Sequence, residues 1–198
     1  NYRRSGETDA LRIPKDGYFA HRVMWDGWVD AERHHTHIVG HWNYTDTTVK
    51  DIYVISTGEK VELKLNDVSL GLGDQSYRFL FTFKNISWSP GTLEAVSYNA
   101  DDKILSYDLK RTARKPSALR LTLHTSCDGF KADGADMALL DVEIIDAVGN
   151  RCPTSNNLIH FTMEGPAEWR GGLAQGPGNY ILSRSLPVEC GINRVIIR

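Results

Sequence analysis

The chain of 198 residues has no long apolar run and no dense block of basic residues. A membrane-spanning helix needs about 20 consecutive apolar residues, and no segment approaches that length. Residues 1–17 also lack the apolar centre of a secretory signal peptide. The densest basic run is KRTARK at 110–115, and the formal net charge is -2. Because nucleic acids are bound by clustered Lys and Arg, neither a membrane nor a nucleic acid is an expected partner.

The chain has only three cysteines, and no two of them have the spacing of a metal-binding pair. Cys127, Cys152 and Cys190 are far apart, and none belongs to a CxxC pair. This pattern disfavours a zinc ribbon and a full disulfide framework. Buried free thiols are the favoured interpretation, and one disulfide with a spare thiol is the alternative. The chain also begins without an initiator Met or a helix-capping signal, so we expect a piece cut from a longer protein.

The segment from 36 to 112 has the alternation of apolar and polar residues that is typical of strands. TGE at 57–59 is expected to join the first two runs as a hairpin, and four aromatic residues of the third run share one face. Short strands separated by turn sequences predict a β-sandwich. Five runs have the pattern: KDIYVIS (50–56), KVELKLN (60–66), YRFLFTF (77–83), TLEAVSY (92–98) and KILSYDL (103–109).

The same pattern restarts after the charged segment KRTARKPS. A second sandwich is therefore predicted, in which Leu119, Leu121 and Leu123 point inward. Its runs are ALRLTLHT (118–125), MALLDVEIID (137–146) and LIHFTMEG (158–165).

Two features distinguish this second half. The stretch 165–180 is rich in Gly and Pro and is too long for a hairpin loop, so it is expected to be a functional loop or a spacer. The run NRVIIR at 193–198 resembles the penultimate strand of a seven-stranded sandwich. The second domain is thus expected to lack its last strand and to expose an edge, which invites pairing with another copy.

The segment before residue 36 does not alternate. Pro14 suits the first position of a helix, and a helix from about 14 to 25 is predicted. Such a helix needs a surface to pack on, since it is too short to be stable alone. In this interpretation, its larger side chains lie on more than one face of the helix: Tyr18, His21, Val23, Trp25 and Trp28.

The stretch HHTHIVGHWNY at 34–44 has four histidines in eight positions. On a strand, His35, His37 and His41 would point to one side and His34 to the other, which permits a shared metal. No cysteine or well-placed carboxylate lies nearby in sequence. Structural packing is therefore favoured over a metal site or a catalytic base, and no metal or cofactor is expected.

Several motifs in order resemble the C-terminal region of bacterial glycoside hydrolase family 2 enzymes of the β-galactosidase type. In that family a helix with a PKD motif closes the catalytic (β/α)8 barrel, and a strand similar to HWNW opens an immunoglobulin-like domain. The matching segments are IPKDGYFAHRVMWDGW (13–28), HIVGHWNY (37–44), DIYVISTGEKVELKLNDVSLG (51–71), SPGTLEAVSYNADDKI (89–104) and ADGADMALLDVEIIDAVGNRCPTSNNLIHFTMEGP (132–166).

The resemblance implies an all-β chain with two immunoglobulin-like β-sandwich domains in tandem, preceded by a short helical remnant of the barrel. It places the end of the barrel at 1–35, the first sandwich at 36–112 and the second at 113–198. Asn66 and Asp67 stand where the family commonly has Asn-Gly, and Ala167 replaces the second glycine of a GPG motif. These departures leave the sugar specificity open.

The family hydrolyses glycosidic bonds with two carboxylates about 5–5.5 Å apart. The acid/base glutamate of the family follows an asparagine, and this chain contains no Asn-Glu pair. The resemblance therefore implies non-catalytic accessory domains that support the barrel of the same full-length chain. It also implies a periplasmic or extracellular location.

Six residues are candidates for contact. His37, His41, Trp42 and Trp25 are expected to pack at a domain interface with the barrel. Trp169 and Trp88 are the candidates for stacking on an oligosaccharide. The alternatives to the accessory role are an independent carbohydrate-binding module and an adhesion-type pair of sandwiches.

Overall fold

The structure is a computed structural model that describes residues 6–9, 11–131, 133–172, 180 and 182–198. About half of these residues lie in antiparallel sheets, and among them no helix is long and apolar enough to cross a bilayer. The elements are α1 (Asp16–Val29), β1 (Thr36–Ile38), β2 (Val49–Ser56), β3 (Lys60–Leu65), β4 (Val68–Leu72), β5 (Asp74–Tyr77), β6 (Leu80–Ser87), β7 (Thr92–Tyr98), β8 (Ile104–Arg111), β9 (Pro116–His124), β10 (Ala138–Asp146), β11 (Leu158–His160), β12 (Trp169–Gly172), β13 (Ser185–Pro187) and β14 (Ile192–Ile197).

The chain divides into two compact units. The first unit contains Gly6–Thr8 and Pro14–Thr112, and so includes α1 and β1 to β8. The second unit contains Ala113–Arg198 and a short N-terminal segment that ends at Ile13, and so includes β9 to β14.

The first unit is a sandwich of two four-stranded sheets, with strand orders β1-β2-β6-β5 and β4-β3-β7-β8. Alternation along β3 buries Val61 and Leu63 completely, as expected for a strand with one inward face. Both sheets contribute to one apolar core between them. The buried members of this core are Ile38, Trp42, Ile52, Val54, Val61, Leu63, Phe81, Phe83, Leu93 and Ala95.

Two expected features of the first unit are wrong. β2 and β3 do not form a hairpin, because they lie in different sheets and the segment 57–59 crosses between them. Gly58 is required there, since an added Cβ would lie 2.7 Å from the Cβ of Ser97. The run YRFLFTF is not one strand: a turn at 78–79 separates β5 from β6 and pairs Tyr77 with Leu80.

The hairpin implied by the resemblance is confirmed between β3 and β4. Its turn residues Asn66 and Asp67 have φ angles of 51° and 65°. Two consecutive residues with positive φ are typical of a type I′ turn, which asparagine and aspartate tolerate better than most residues. The change from Asn-Gly to Asn-Asp is therefore compatible with the same turn.

The second unit has a four-stranded sheet of order β12-β14-β10-β9 and a two-stranded sheet of β11 and β13. Alternation along β10 buries Val142 and Ile144. The turn after β10 is organised by the buried carboxylate of Asp146, which accepts hydrogen bonds from the backbone N–H groups of Arg114, Val148 and Asn150 at 2.9–3.0 Å. The core contains Ala113, Val142, Ile144, Cys152 and Val188, with Ile159 and Phe161 packed against it.

The side chains of Leu119, Leu121 and Leu123 are exposed, whereas the sequence predicts that they point into the core of the second sandwich. The three are 49%, 60% and 54% exposed. In register they lie beside Ile144, Val142 and Leu140, so the alternation was assigned correctly. They stay exposed because β9 is the last strand of its sheet, whereas the facing sheet has only two strands.

The long loop expected at 165–180 is also corrected in part. Trp169–Gly172 forms β12 and pairs with β14, so a strand begins where a loop was expected. Residues 173–179 lie outside the described residues. All three cysteines are free; Cys152 is buried as expected, whereas Cys127 and Cys190 are exposed.

Candidate functional site

The helix α1 is the element of the first unit with the most conspicuous surface. It spans Asp16–Val29, so it begins two residues later and ends four residues later than the sequence predicts. Asp16 lies in its first turn, where a negative charge interacts favourably with the helix dipole. The helix has one face on β1 and β2 and one face toward solvent.

The inner face packs closely. Val23 is 1% exposed, and the ring of Phe19 stacks on His37 with a centroid distance of 4.4 Å. Gly27 permits contact with Phe79, because an added Cβ would lie 2.5 Å from the ring. Asp26 is also buried on this face. The spacing of three and four residues is that of a single helical stripe.

Two histidine–aspartate pairs join α1 to β1. His37 Nε2 lies 2.7 Å from Asp16 Oδ1, and its Nδ1 lies 3.6 Å from Asp108 Oδ2. The hydrogen bond from His37 is the main cause that lowers the pKa of Asp16, and the N–H of Gly40 contributes as well. His35 Nε2 lies 2.6 Å from Asp26 Oδ2, a close approach without the alignment of a hydrogen bond.

These carboxylates correct the statement that none is well placed near the histidines. Asp16 and Asp26 come from α1 and Asp108 comes from β8, and only the fold brings them to the histidines. Among the described residues no group of three or more histidine, cysteine or acidic side chains has the geometry of a metal site. The pairs therefore hold the helix on the sheet, and His37 is buried within the first unit.

The outer face of α1 forms an exposed aromatic groove. Trp25 is 64% exposed and Trp28 is 60% exposed. The edge of Trp28 meets Phe79 at a centroid distance of 5.3 Å, and the imidazole of His21 contacts the carboxylate of Glu7. The groove has a volume of about 590 Å³ and is lined by Glu7, Tyr18, His21, Arg22, Met24, Trp25 and Trp28.

The aromatic groove refines the expectation that five large side chains of the helix lie on more than one face, because only Val23 among them lies on the inner face. Except for Val23, they lie on one solvent face, with the spacing 18, 21, 25 and 28. That spacing was visible in the sequence. Large contiguous apolar patches exposed on folded proteins mark interaction surfaces.

The segment after β1 is built into the first unit. Trp42 is 1% exposed and donates its ring N–H to the carbonyl of Ser89 at 3.0 Å. Trp88 donates its ring N–H to the carbonyl of Trp42 at 3.3 Å and packs on the same core. His41 stacks on Tyr44 at 4.6 Å, and burial is the main cause that lowers its pKa, followed by the charge of Lys50.

Trp169 lies on β12 in the second unit. Its ring N–H donates to the carbonyls of Leu182 and Ser183 at 3.2 and 3.1 Å, and its ring packs against Phe161 at 5.2 Å. Trp169 and Trp88 are both partly buried. Carbohydrate contact at these two rings stays a prediction, as does packing of His37, His41, Trp42 and Trp25 against a catalytic barrel.

The described residues thus define a class of protein: an all-β chain of two immunoglobulin-like sandwich units with a helix that presents an aromatic face. Residues 121–182 match the family described as glycoside hydrolase family 2 C-terminal domain 5. Residues 47–105 match a domain family of unknown function, DUF4982.

Relatives and solved structures agree with this assignment. The chain is 41% identical over 197 residues to a β-glucuronidase of Formosa agariphila, and 29% identical over 161 residues to a β-galactosidase of Bacteroides ovatus. These alignments cover 99% and 81% of the chain, and 20% and 18% of the relatives. A solved family 2 β-glucuronidase superposes with a TM-score of 0.91 at 41% identity, over 99% of this chain and 20% of that one.

A family 2 member from Bacteroides cellulosilyticus superposes with a TM-score of 0.86 at 23% identity, over 99% of this chain and 29% of that one, and it shows the fold alone. In sequence and fold the chain corresponds to the C-terminal region of glycoside hydrolase family 2 enzymes. It spans about a fifth of the length of the curated relatives that it matches.

Proposed function

We propose that this chain is a non-catalytic accessory region of a family 2 glycoside hydrolase, and that its aromatic groove packs against the catalytic domain of the same polypeptide. The observation that carries the proposal is the rigidly held helix with two exposed tryptophans. The substrate class proposed for the whole protein is a β-glycoside, with β-glucuronides and β-galactosides as the first to test, because the relatives bear those names. A periplasmic or extracellular location belongs to the same proposal.

The energetics favour a covered groove. A tryptophan side chain can bury about 150–250 Å², and each square ångström removed from water contributes roughly 25 cal/mol. Because Trp25 and Trp28 are more than half exposed, covering both would contribute on the order of 5 kcal/mol.

The inner face of α1 prepares the groove for such a contact. The contacts of Asp16 with His37 and of Gly27 with Phe79 fix the helix before any partner binds. A surface that is already ordered loses little conformational entropy on association. A rigid helix face is therefore suited to a permanent contact within one polypeptide.

Two glutamates on the strands have structural partners. Glu62 accepts hydrogen bonds from Ser69 and Tyr98, and Glu143 accepts one from Arg120. The Asn-Glu pair that marks the acid/base residue of the family does not occur in the sequence, which agrees with an accessory role.

The test is a pair of variants in the longer polypeptide that contains this region. We expect Trp25→Ala with Trp28→Ala to lower the Tm and to shorten the half-life of β-glycoside hydrolysis on heating. Tyr107→Ala is the matched control, because Tyr107 is 64% exposed on β8 and outside the groove. It should leave both quantities unchanged.

The isolated 198-residue chain provides the second control. There the tryptophan variant should unfold like the unmodified chain, since both rings are already exposed. Equal stability of the tryptophan variant and the tyrosine variant in the longer polypeptide would refute the docking proposal.

A further inference from the structure

Among the residues that the structure describes, β9 has no strand beside it on one edge, and this free edge has unusual features. β9 spans nine residues, all exposed, and stands at the end of its sheet. Natural edge strands are usually short or protected by inward charges and bulges, because their free N–H and C=O groups recruit other strands. Here the centre of the edge has three exposed leucines, Leu119, Leu121 and Leu123.

The hydrogen-bond direction shows which residues face that edge. Ile144 uses its N–H and C=O toward Gly191 and Cys152, on the side of β10 away from β9. Its register partner Leu119 is therefore in a non-hydrogen-bonded pair with β10. The same parity applies to Leu121 and Leu123, so the backbone groups of all three leucines point to the free edge.

The positive charge of Arg120 on β9 makes its contacts within the same unit, not at the free edge. Arg120 Nε donates to Glu143 Oε2 at 2.8 Å, and its Nη1 donates to the carbonyl of Gly149 at 3.0 Å. This arrangement keeps the guanidinium on the polar face, opposite the leucines. It does not protect the edge.

The sequence of the strand is self-complementary. In an antiparallel pair of two β9 strands centred on Leu121, Leu121 faces Leu121 and Leu119 faces Leu123 of the other copy. Arg120 then faces Thr122, and Ala118 faces His124, so no like charges are opposite each other. Three hydrogen-bonded residue pairs would form on the free edge.

We propose that β9 pairs with β9 of a second copy of this chain about a two-fold axis at Leu121. The pairing joins two four-stranded sheets into one continuous sheet and places six leucines side by side on one face. This surface lies in the second unit and does not involve the aromatic groove.

Oligomeric state is the first measurement. Sedimentation equilibrium of the 198-residue chain over a wide concentration range should show a monomer–dimer equilibrium. Leu121→Lys should abolish the dimer, because two ammonium groups would meet at the axis. Leu158→Lys is the matched control, since Leu158 is 51% exposed on β11, and it should leave the dimer intact.

Cysteine cross-linking tests the register in a Cys127→Ser, Cys190→Ser background, which removes the exposed thiols. Leu121→Cys should cross-link to itself, because facing Cα atoms of a hydrogen-bonded antiparallel pair are about 5.5 Å apart. Leu119→Cys should cross-link only when mixed with Leu123→Cys.

A monomer at every concentration would overturn the proposal, as would cross-linking of Leu119→Cys to itself. Hydrogen exchange gives an independent outcome in the longer polypeptide. If the amides of Leu119, Leu121 and Leu123 are protected while that polypeptide is monomeric, its own chain covers the edge and the proposal is wrong.

Discussion

The two units contain the same kind of alternating strand and bury it to different extents. In the first unit, β3 lies in a four-stranded sheet opposite another four-stranded sheet, and Leu63 is fully buried. In the second unit, β9 lies opposite a two-stranded sheet, and Leu121 is 60% exposed. Alternation therefore selects the face of a side chain, whereas the opposite layer decides whether that face is covered.

The largest expected effect contrasts these two leucines. Leu63→Ala should destabilise the first unit by about 3 kcal/mol, because it removes buried methyl groups and leaves a cavity. Leu121→Ala should change the stability of the monomeric chain by less than about 0.5 kcal/mol. Urea denaturation at low protein concentration measures both, and equal effects would show that β9 is covered in solution.

A second contrast concerns Trp88 in the first unit and Trp169 in the second. Each ring donates its N–H to backbone carbonyls and packs on neighbours, so we expect truncation to alanine to cost about 2 kcal/mol in either unit. Thermal unfolding gives the stability. Calorimetric titration with galactosides, glucuronides and polysaccharide oligomers gives the binding.

Thermal unfolding and calorimetric titration together distinguish a tryptophan that stacks on a sugar from one that only stabilises the fold. If the rings are structural, the Tm falls and any heat of sugar binding is unchanged. If heat is lost on one substitution, that tryptophan is a carbohydrate platform and the prediction from the sequence is right.

Two glycines of α1 test how closely the helix packs against the rest of the first unit. Gly27→Ala should destabilise the helix by about 1 kcal/mol, because overpacking against Phe79 exceeds the gain in helix propensity. At Gly17 the nearest atom to an added Cβ is 3.6 Å away, so Gly17→Ala should stabilise by about 0.5 kcal/mol. Hydrogen exchange of the α1 amides measures both, and a gain at both sites would mean that the helix is loosely held.

The smallest expected effect is a difference between the two units in how acidic pH changes their stability. The N–H of Arg114 is the main cause that lowers the pKa of Asp146 in the second unit, and the hydrogen bond from His37 lowers that of Asp16 in the first. A carboxyl with a lower pKa in the folded state adds stability above its unfolded pKa. That stability is lost as the pH falls through the folded pKa.

Asp146→Asn should therefore flatten the acid dependence of exchange at Val142, and Asp16→Asn should flatten it in α1. Amide exchange followed from neutral to acidic pH separates the two units. If either variant altered both regions equally, the units would not respond to acid independently.

Much of the local structure could be predicted from the sequence. The runs at 50–56 and 92–98 fall within strands, and the run at 137–146 does so except for its first residue. The turn at Asn66 forms as the resemblance implied. The pairing of β2 with β6 rather than β3 could not be predicted, because strand alternation does not specify a partner. The carboxylates near His35 and His37 were missed for the same reason, since they come from α1 and β8.

The sequence by itself determined the class of fold, the family and the inward parity of each clear strand, because these depend on local periodicity and on ordered motifs. Only the tertiary structure decided which inward faces are covered, which histidines meet aspartates and which tryptophans stay exposed. Burial is a property of two surfaces in contact. A chain pattern specifies one of them, and the fold supplies the other.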